Sequence, residues 1–524
     1  MTLDATFKDA LIAAVGVDHL TQDEAERRFM SQDVFEESAY TTKAIATPAS
    51  TNELADVVKA ASAAGYAMFP RGGGMSYTSG YLPTAEKSIT IDMGRMNKVV
   101  TVNTEDMYVT VEAGCTWLDL HTALKGTGLR TPYWGTLSGI HATVGGSMSQ
   151  NSIFFGSGLY GQAVDSVLGF EIVVADGSVI ITGSASHTKS GPFMRHYGPD
   201  LTGIFTSDAG ALGFKATITM RLISEPSQVR HVSVNFPTLD SMFNAATEVA
   251  RRGLASESFG FDPVLHKVRM RRESLAKDIK ALGNVMKKSG SLLGAVKQGA
   301  KIALAGRGYM EDVVYAYNFT TEQHSALGAD DAIREIEQIA KDAGGEIVEN
   351  TIPTIIRANP FMPLNNMVGP EGERWLPVHG LVPHSKAVAV TDELNAFFCE
   401  HAADIEKYSV DVGYLFATVG SNISVVELVF FWPDSLMDIQ KRTVEKKAQK
   451  NFKDFGDQTD ARAFVAMLRE GSKKIYAEAG SIHMQIGKGY PYKATLDPAS
   501  FAIVEGLKKS LDPKGLMNPG ALGL

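Results

Sequence analysis

The spacing of apolar residues in the first part of the chain switches between helical and strand periods. Apolar residues at 54–61 recur at helical spacing, and Ser50 and Glu53 have the spacing of a capping box at the start of this run. We therefore predict a helix that begins at Ser50 and is followed by a short strand at 66–69. Between 87 and 113 the apolar period becomes two, which predicts β-strands.

A turn signal follows in the same region. Asp176-Gly177 separates two β-rich runs, Phe170–Ala175 and Ser178–Thr182. Asp-Gly in this setting predicts a hairpin with a type I′ turn, because that turn needs positive φ at two consecutive residues. Apolar residues then alternate from 214 to 222, which predicts another strand.

From about residue 230 the pattern alternates between strands and helices. Predicted strands lie at 231–235, 312–318, 376–381 and 425–431, and predicted helices at 239–252, 330–343 and 391–405. A long charged helical stretch is predicted after the last strand. This alternation favours an α+β unit built on an antiparallel sheet.

Composition narrows the class of protein. The 524 residues are 44% hydrophobic and 21% charged, which is ordinary for a globular chain. Cys115 and Cys399 are the two cysteines, so neither a disulfide framework nor a cysteine zinc site is expected. The net charge of -9 argues against nucleic acid as a partner.

The N-terminus lacks the uninterrupted apolar run of a signal peptide, because Asp4, Lys8 and Asp9 break it. No apolar run approaches the roughly 20 residues that cross a bilayer. We therefore expect a cytoplasmic protein.

One segment is strongly basic, although the chain as a whole carries a net negative charge. Residues 266–307 contain eleven Lys or Arg and two acidic residues. This pattern is typical of a solvated helical face, and it would also suit a patch that docks on a membrane surface or on an acidic electron-acceptor protein.

A glycine-rich loop at 71–76, Arg-Gly-Gly-Gly-Met-Ser, follows the predicted strand at 66–69. Consecutive glycines let successive backbone N–H groups point inwards as a nest for an anion, and Arg71 and Ser76 could add donors. A pyrophosphate would fit such a loop. The loop has neither the third glycine of a dinucleotide-binding fingerprint nor the Gly-Lys-Ser/Thr of a Walker A loop.

Three further segments are rich in small residues. They are 143–151 with its continuation to 161, 200–213, and the C-terminal stretch 512–520. In their order along the chain, the Pro-Arg-Gly-Gly-Gly loop, the Gly-Gly-Ser stretch, the Val-Ala-Asp-Gly hairpin, Phe-Thr-Ser-Asp-Ala-Gly-Ala-Leu-Gly at 205–213 and the final Asn-Pro-Gly resemble the vanillyl-alcohol oxidase/para-cresol methylhydroxylase family of flavoproteins.

This resemblance covers nearly the whole chain. It implies an α+β fold with a two-subdomain FAD-binding domain of the para-cresol-methylhydroxylase (PCMH) type at 1–225. It also implies an α+β substrate cap on an antiparallel sheet at 226–470, and a C-terminal return to the FAD-binding domain at 471–524. The residues it assigns to FAD are Pro70, Arg71, Gly72, Gly73, Gly74, Met75, Ser76, Ser138, Gly145, Gly146, Ser147, Asn151 and Asn518.

The chain departs from the family at positions that bear on the cofactor and the substrate. Met75 stands where many relatives carry a histidine that tethers FAD, so we expect non-covalent FAD, although His121, His141 or His187 could provide a tether. Phenol-oxidising members carry an acidic residue where this chain has Gln162. They also have a Tyr-Arg pair where it reads Ser-Ile-His-Met, so a para-hydroxylated phenol is in doubt.

Catalytic candidates come from position in the family pattern. His483 is the first candidate for the base that takes a substrate proton, because histidine titrates near neutral pH. Tyr490 could orient a polar substrate, and Tyr160 and His379 are further candidates. His379, His384 and His483 do not match the metal-binding histidine motif of D-2-hydroxyacid dehydrogenases, so no metal is assigned.

The resemblance thus implies an enzyme that transfers a hydride from a small aromatic or alcohol substrate to FAD. The alternative is a D-2-hydroxyacid dehydrogenase of the same superfamily that passes electrons to a quinone or a cytochrome. Oxygen is a third possible acceptor. A non-catalytic interaction protein would not need the glycine loops. A homodimer is expected from the family.

Overall fold

The computed structural model of the chain describes residues 3–270 and 315–524. Contacts divide this part of the chain into two units. Unit 1 comprises Met1–Ile153, Gln162–Glu225 and His483–Leu524, and unit 2 comprises Phe154–Gly161 and Pro226–Ile482. Beyond Met270, the predicted docking segment at 266–307 lies outside the described residues.

The α-helices of the described residues are numbered in chain order. They are α1 Ala5–Val15, α2 Glu24–Met30, α3 Thr51–Ala64, α4 Trp117–Leu124, α5 Val144–Gln150, α6 Ser157–Tyr160, α7 Leu201–Ile204, α8 Leu239–Arg251, α9 Pro263–Met270, α10 Ala326–Asp342, α11 Thr351–Ala358, α12 Ala387–Glu400, α13 Ala402–Lys407, α14 Asp438–Thr443, α15 Lys446–Gln449, α16 Thr459–Glu478, α17 Tyr492–Thr495 and α18 Pro498–Leu511.

The strands of the same residues are β1 Leu20–Thr21, β2 Ile45–Ala46, β3 Ala67–Arg71, β4 Ser88–Asp92, β5 Val99–Asn103, β6 Tyr108–Glu112, β7 Leu129–Arg130, β8 Val167–Val173, β9 Val179–Ile181, β10 Phe214–Arg221, β11 Ile223–Ser224, β12 Gln228–Phe236, β13 Glu257–Phe261, β14 Tyr315–Gln323, β15 Glu346–Val348, β16 Arg374–Pro383, β17 Asp411–Val419 and β18 Ile423–Trp432.

Helix α3 begins where the capping signal predicts. Ser50 Oγ accepts a hydrogen bond from the Glu53 N–H at 3.2 Å, as an N-cap should. The Glu53 carboxylate reaches back to the N–H of Ala49, one residue before the cap. Gly65 ends the helix in the left-handed conformation, and strand β3 then leads into the glycine loop.

The sheets of unit 1 follow the predicted change of period. In the described residues, β1-β2-β4-β3 form a mixed sheet in which β3 and β4 are parallel. The strands β5-β6-β10-β8-β9 form an antiparallel sheet. With the two-stranded pair β11-β7, these sheets give unit 1 the mixed helix and sheet character that the sequence predicts.

The hairpin of β8 and β9 forms, but its turn is not of type I′. Gly177 has φ +84°, whereas Asp176 is absent from the residues with positive φ in the described chain. The Gly177 N–H donates to the Val174 carbonyl and the Asp176 carboxylate accepts from the Ser178 N–H at 2.8 Å. The aspartate therefore stabilises the turn through its side chain, and a single residue with positive φ is enough.

Unit 2 is built on the predicted antiparallel sheet. Its seven strands within the described residues have the order β15-β12-β14-β13-β17-β18-β16, and all neighbouring pairs are antiparallel. The helix predicted at 391–405 is two helices, α12 and α13, and the charged stretch after β18 is divided among α14, α15 and α16.

Candidate functional site

Because Arg71 ends strand β3, the glycine loop of the structure is 72–76, and it packs against the segment that precedes helix α5. A Cβ atom on Gly73 would lie 1.9 Å from the carbonyl oxygen of His141, and one on Gly72 would lie 2.4 Å from Thr143 Oγ1. The Gly73 contact is with backbone, so no rotamer change could relieve it. The structure therefore brings the first two predicted segments into direct contact within unit 1.

The same loop leaves backbone donors available. Within the described part of the chain, no acceptor receives a hydrogen bond from the N–H groups of Gly73, Gly74 or Met75. Gly74 has φ +70°, a conformation that helps successive N–H groups turn towards one point. A run of uncommitted N–H groups is a nest for an anion, and this observation fits the pyrophosphate of FAD.

Arg71 is predicted as an extra donor to the anion, but its Nη1 donates to backbone carbonyl oxygens of the protein. Its side chain is buried, and Nη1 donates to the carbonyl oxygens of Phe29 at 2.9 Å and Gln32 at 3.2 Å. The guanidinium carbon also lies 4.8 Å from the centre of the Phe29 ring. Because Tyr81 donates to the Gly74 carbonyl at 2.7 Å, both side chains hold the loop in place.

Helix α5 starts beside the glycine loop. Thr143 caps it by accepting from the Gly146 N–H at 3.1 Å, and the Gly145 N–H donates to the Ala113 carbonyl. Ser147 Oγ accepts from the indole of Trp117 at 2.7 Å. Ser138 forms the preceding turn, with its carbonyl accepting from the N–H groups of His141 and Ala142.

The C-terminal end of α5 carries unsatisfied polar atoms. Gln150 Oε1 and Asn151 Oδ1 are buried and receive no hydrogen bond from the residues that the structure describes. Asn151 has φ +56°, and its Nδ2 donates to Gln162 Oε1. These two acceptors can receive hydrogen bonds from a ligand with N–H or O–H groups such as a flavin.

Asn518 and Lys488 fasten the loop that follows the glycine loop. Asn518 Nδ2 donates to the Gly80 carbonyl at 2.7 Å and to the Ala209 carbonyl. Lys488 Nζ lies 3.0 Å from the Leu82 carbonyl, 3.1 Å from that of Gly80 and 2.7 Å from Asn518 Oδ1. Burial lowers the pKa of Lys488 to about 7, while the surrounding oxygens favour its charged form.

A second lysine fastens the C-terminal segment. Lys508 Nζ donates to the carbonyl oxygens of Ala211 and Met517 at 2.7 and 2.6 Å and lies 2.8 Å from the Asp512 carboxylate. The buried pair of Lys215 and Asp208, 2.6 Å apart, lies in the same unit. Sequence reasoning missed both Lys488 and Lys508, because a lysine in an amphipathic pattern is usually a solvated residue.

The catalytic candidates fall in both units. In unit 1 the rings of His483 and Tyr490 stack with centroids 3.9 Å apart and an interplanar angle of 11°. In unit 2, Tyr160 ends helix α6 and His379 is fully buried in strand β16. The structure therefore pairs His483 with Tyr490, and it places the other two on different elements of unit 2.

Unit 2 contains a buried charged cluster that the sequence did not suggest. Arg357 Nη2 lies 2.5 Å from Glu322 Oε1, and Arg357 Nη1 lies 3.4 Å from Glu257 Oε1. Nearby, burial lowers the pKa of His231 to about 4, and the positive charge of Arg357 contributes to this decrease. In the sequence this cluster is visible only as two acidic residues, Glu257 and Glu322, among apolar neighbours. Solvent-exposed positions of a strand show the same pattern.

A cavity of about 860 Å³ lies in unit 2. Its lining includes Asp262, Glu371, Asn395, Cys399 and Tyr414, and none of the predicted site residues. Burial raises the pKa of Asp262 to about 6.

The described residues offer neither a metal cluster nor a membrane span. No three His, Cys, Asp or Glu side chains among them could hold a metal ion. His384 instead contacts Ser424 Oγ at 2.8 Å and the Ser421 carbonyl at 3.1 Å. No helix in the same residues is long and apolar enough to cross a membrane.

Comparisons with known families agree with the geometry of unit 1. Residues 42–183 match the family described as FAD binding domain, and residues 451–522 match the C-terminal domain of FAD linked oxidases. The first match contains the glycine loop and α5, and the second contains Lys488 and Asn518.

Several curated relatives are named for hydroxy-acid substrates. The chain is 26% identical over 242 residues to glycolate oxidase subunit GlcD of Bacillus subtilis, which is 46% of this chain and 50% of that protein. It is 22% identical over 483 residues to a probable mitochondrial D-lactate dehydrogenase of Danio rerio, which is 90% of this chain and 82% of that protein. The chain thus aligns with only half the length of the first of these relatives.

Solved structures share the fold. An alkyldihydroxyacetonephosphate synthase superposes with a TM-score of 0.71 at 16% identity, over 99% of this chain and 85% of that one. A p-cresol methylhydroxylase with substrate bound superposes with a TM-score of 0.70 at 15% identity, over 100% of this chain and 98% of that one. At these identities the likeness concerns the fold alone.

The family matches support an FAD-dependent enzyme. The uncommitted N–H groups of the glycine loop and the two unsatisfied acceptors of α5, all among the described residues, fit that cofactor independently of the matches. The chain therefore has the PCMH-type FAD-binding fold, matches the FAD binding domain over 42–183 and the C-terminal domain of FAD linked oxidases over 451–522, and has FAD as its cofactor.

Proposed function

We propose that the protein is an FAD-linked oxidoreductase that oxidises a small 2-hydroxy acid. The observation that carries the proposal is the meeting, within unit 1, of the glycine loop with the start of helix α5, beside the loop that Asn518 and Lys488 fasten. The substrate class is drawn from the relatives whose names specify glycolate or D-lactate. It is the second of the two hypotheses that the sequence left open.

In this proposal the flavin domain is formed by 1–225 and 471–524, with 226–470 as the cap. The two units of the structure differ from these bounds at 154–161 and 471–482, which belong to unit 2. The nest of Gly73, Gly74 and Met75 would hold the pyrophosphate, and Gln150 and Asn151 would accept hydrogen bonds from the rest of the cofactor. Bound FAD supplies a hydride acceptor. The chain's own residues bind it, orient the substrate and move the proton of the hydroxyl group.

His483 is the proposed base. Stacking on Tyr490 restricts the imidazole to one ring plane, and both ring nitrogens lie in that plane. A base held in this way can take the hydroxyl proton as the carbon-bound hydrogen leaves. The acceptor that reoxidises the cofactor would be a quinone, a cytochrome or oxygen, and the homodimer and the non-covalent attachment of FAD stay predictions.

Anaerobic titration of the purified protein tests the proposal. D-lactate and glycolate are expected to bleach the visible flavin absorbance, whereas L-lactate, as the matched enantiomer, should bleach it far more slowly. Bleaching by a benzylic alcohol alone would favour the aromatic substrates that the family resemblance implies. Acid precipitation should release the flavin into the supernatant, and flavin retained in the pellet would show a covalent tether.

The base is tested separately. Replacing His483 by Ala is expected to slow the reduction of bound flavin by about 100-fold, since a positioned general base contributes about 10²–10⁴-fold. His483→Gln keeps a planar polar group and serves as a control for stacking on Tyr490. Reduction within a few-fold of the unmodified rate would remove His483 from this role.

A further inference from the structure

The cavity of about 860 Å³ in unit 2 has the size of a small-molecule binding site. Asn395, Phe398 and Cys399 line it from one face of helix α12, where residues three and four apart lie side by side. Val412 and Tyr414 line it from strand β17. None of the residues assigned to FAD or to the proposed reaction belongs to this lining, so that reaction does not account for the cavity.

Carboxylates dominate the charged lining of the cavity. The described lining residues include no lysine, arginine or histidine, but they include five acids. These are Asp262, Glu371, Glu373, Glu406 and Asp411. Glu371 pairs with Lys453 at 2.6 Å, whereas the other four carboxylates have no lysine or arginine partner among the described residues. A cavity lined in this way attracts a positively charged ligand.

Asp262 is the buried member of this group, only 7% exposed. Its Oδ1 accepts from the N–H groups of Leu265 and Tyr414 at 2.9 and 2.8 Å, which caps helix α9 and joins it to strand β17. No described residue donates a hydrogen bond to Oδ2 or forms an ion pair with this carboxylate, although buried charges normally have a partner. Asp262 therefore has an oxygen left for a ligand in the cavity that it lines.

The tyrosine beside Asp262 lies in a negative potential. Burial raises the pKa of Tyr414, and the negative charge of Asp262 raises it further. The hydroxyl group therefore stays protonated, and it donates to Asn395 Oδ1 at 2.8 Å. A cation in the cavity would be stabilised by the same negative charge.

The lining favours an organic cation over a metal ion. Among the described residues, no three His, Cys, Asp or Glu side chains could hold a metal ion together. The rest of the lining is mainly apolar and includes the rings of Phe398, Phe431 and Phe455. Ammonium groups joined by short hydrocarbon segments fit such a lining, because the ammonium groups pair with carboxylates and the hydrocarbon packs on apolar side chains.

We propose that this cavity binds a linear aliphatic polyamine. One ammonium group pairs with Asp262 through Oδ2, and the more exposed Glu406 and Asp411 pair with the others. Phe398 and Phe431 contact the hydrocarbon between the ammonium groups. The inference goes beyond the proposed reaction and does not depend on which substrate is oxidised.

Isothermal titration calorimetry of the FAD-loaded protein with spermidine tests the proposal at about pH 8, where Asp262 is ionised. Spermidine is expected to bind at a single site per chain, and added salt should weaken the binding. Spermidine acetylated at both ends keeps its hydrocarbon and loses the terminal charges, so it should bind at least about tenfold more weakly. Hexaamminecobalt(III) has the charge of spermidine without the hydrocarbon and should also bind at least about tenfold more weakly.

Asp262→Asn removes the charge and keeps an oxygen for the N–H groups of Leu265 and Tyr414, so the cap of α9 should persist. It should weaken spermidine binding at least about tenfold. Asp497→Asn is the matched control. Asp497 caps α18 in unit 1 by accepting from the Ser500 N–H at 3.0 Å and lies outside the cavity, so spermidine binding should be unchanged. Both variants should keep the flavin spectrum and the thermal midpoint.

A second cavity variant keeps the test decisive if Asp262→Asn lowers the thermal midpoint. Glu373→Gln removes another charge of the lining and keeps an oxygen for the Glu371 N–H, which Glu373 Oε2 accepts at 2.8 Å. It should weaken spermidine binding by about threefold, because Glu373 is less buried than Asp262.

Four results would overturn the proposal. They are absence of spermidine binding by the unmodified protein, equally tight binding of hexaamminecobalt(III), unchanged binding by both cavity variants, and an equal loss in the Asp497→Asn control. The flavin titration with hydroxy acids does not involve this cavity, so the two proposals fail independently.

Discussion

Both units contain buried ion pairs, such as Lys215 with Asp208 in unit 1, but two further lysines of unit 1 are held in a way that unit 2 does not show among the described residues. In unit 1, Lys488 and Lys508 reach backbone carbonyl oxygens of loops that have no regular hydrogen bonding of their own. In unit 2, Arg357 reaches carboxylates on two strands of a continuous antiparallel sheet. The first arrangement fixes the shape of loops, whereas the second compensates charges on a sheet that its backbone already defines.

The comparison implies different consequences for function. Loops held by a few long side chains lose their shape when one of these is removed, so the flavin should be bound less tightly. A sheet held by its own ladder keeps its shape, so loss of a buried charge there should lower stability alone. Substitutions in the two units, together with a pH titration, would test this division.

The change with the greatest expected consequence is Lys215→Met. It leaves the fully buried Asp208 without its partner, which should lower the free energy of unfolding by about 3–5 kcal/mol. Equilibrium unfolding in denaturant measures this change in the free energy of unfolding. The double variant K215M/D208N removes both charges and should recover a large part of the loss. If the double variant is as unstable as the single one, the ion pair is not the cause.

Arg357→Met tests the division from the side of unit 2. Two buried carboxylates lose their shared cation, so the free energy of unfolding should fall by about 2–4 kcal/mol, less than for Lys215 because the guanidinium is partly exposed. The dissociation constant of FAD should stay within about twofold, a difference of less than about 0.5 kcal/mol. A large loss of flavin affinity in this variant would contradict the proposed division.

Gly73→Ala addresses the glycine loop itself. The added Cβ would collide with the His141 carbonyl, so the loop must shift, at a cost of about 1–3 kcal/mol in FAD binding. Fluorescence of released flavin measures the affinity. Gly506→Ala is the matched control, because its Cβ would meet no atom within 4 Å. Equal affinity in both variants would show that the loop does not contact the cofactor.

Lys488→Met should weaken FAD binding by about 10-fold, because the Leu82 carbonyl oxygen and Asn518 Oδ1 lose their donor, at about 1–3 kcal/mol for a buried unsatisfied group. Lys509→Met is the control, since Lys509 is exposed and pairs with Glu505 on the same helix. If both variants bind FAD alike, Lys488 is a packing residue.

The weakest expected signal is a pH dependence that Lys488 contributes. Its pKa is lowered to about 7 in the folded chain, so between pH 7 and about 10 the unfolded chain holds a proton that the folded chain has released. The free energy of unfolding should therefore rise with pH across this window, on the order of 1 kcal/mol because the surrounding oxygens offset part of the burial. Lys488→Met should flatten that rise, and an unchanged slope would assign it to other groups.

Much of the fold could be predicted from local patterns. The cap of α3 at Ser50, the alternating strand β10 and the individual strands of unit 2 depend on neighbouring residues in the sequence, and the period of their apolar residues makes such elements predictable. The prediction of a turn at Asp176 is correct and the prediction of type I′ is wrong, because Gly177 is the only residue of the turn with a positive φ.

Part of the candidate site could likewise be predicted from the sequence, and part depends on contacts between segments that are distant in the sequence. The glycine loop, α5 and Asn518 could be assigned to one kind of protein from the sequence, since small residues and their order are visible without knowledge of contacts. How these segments are held depends on the fold. Examples are the buried Arg71 with Phe29, the stacking of His483 on Tyr490, and the hydrogen bond from Lys488 to Gly80. Long flexible side chains take their roles from whichever oxygens the fold brings near, and no local pattern records that.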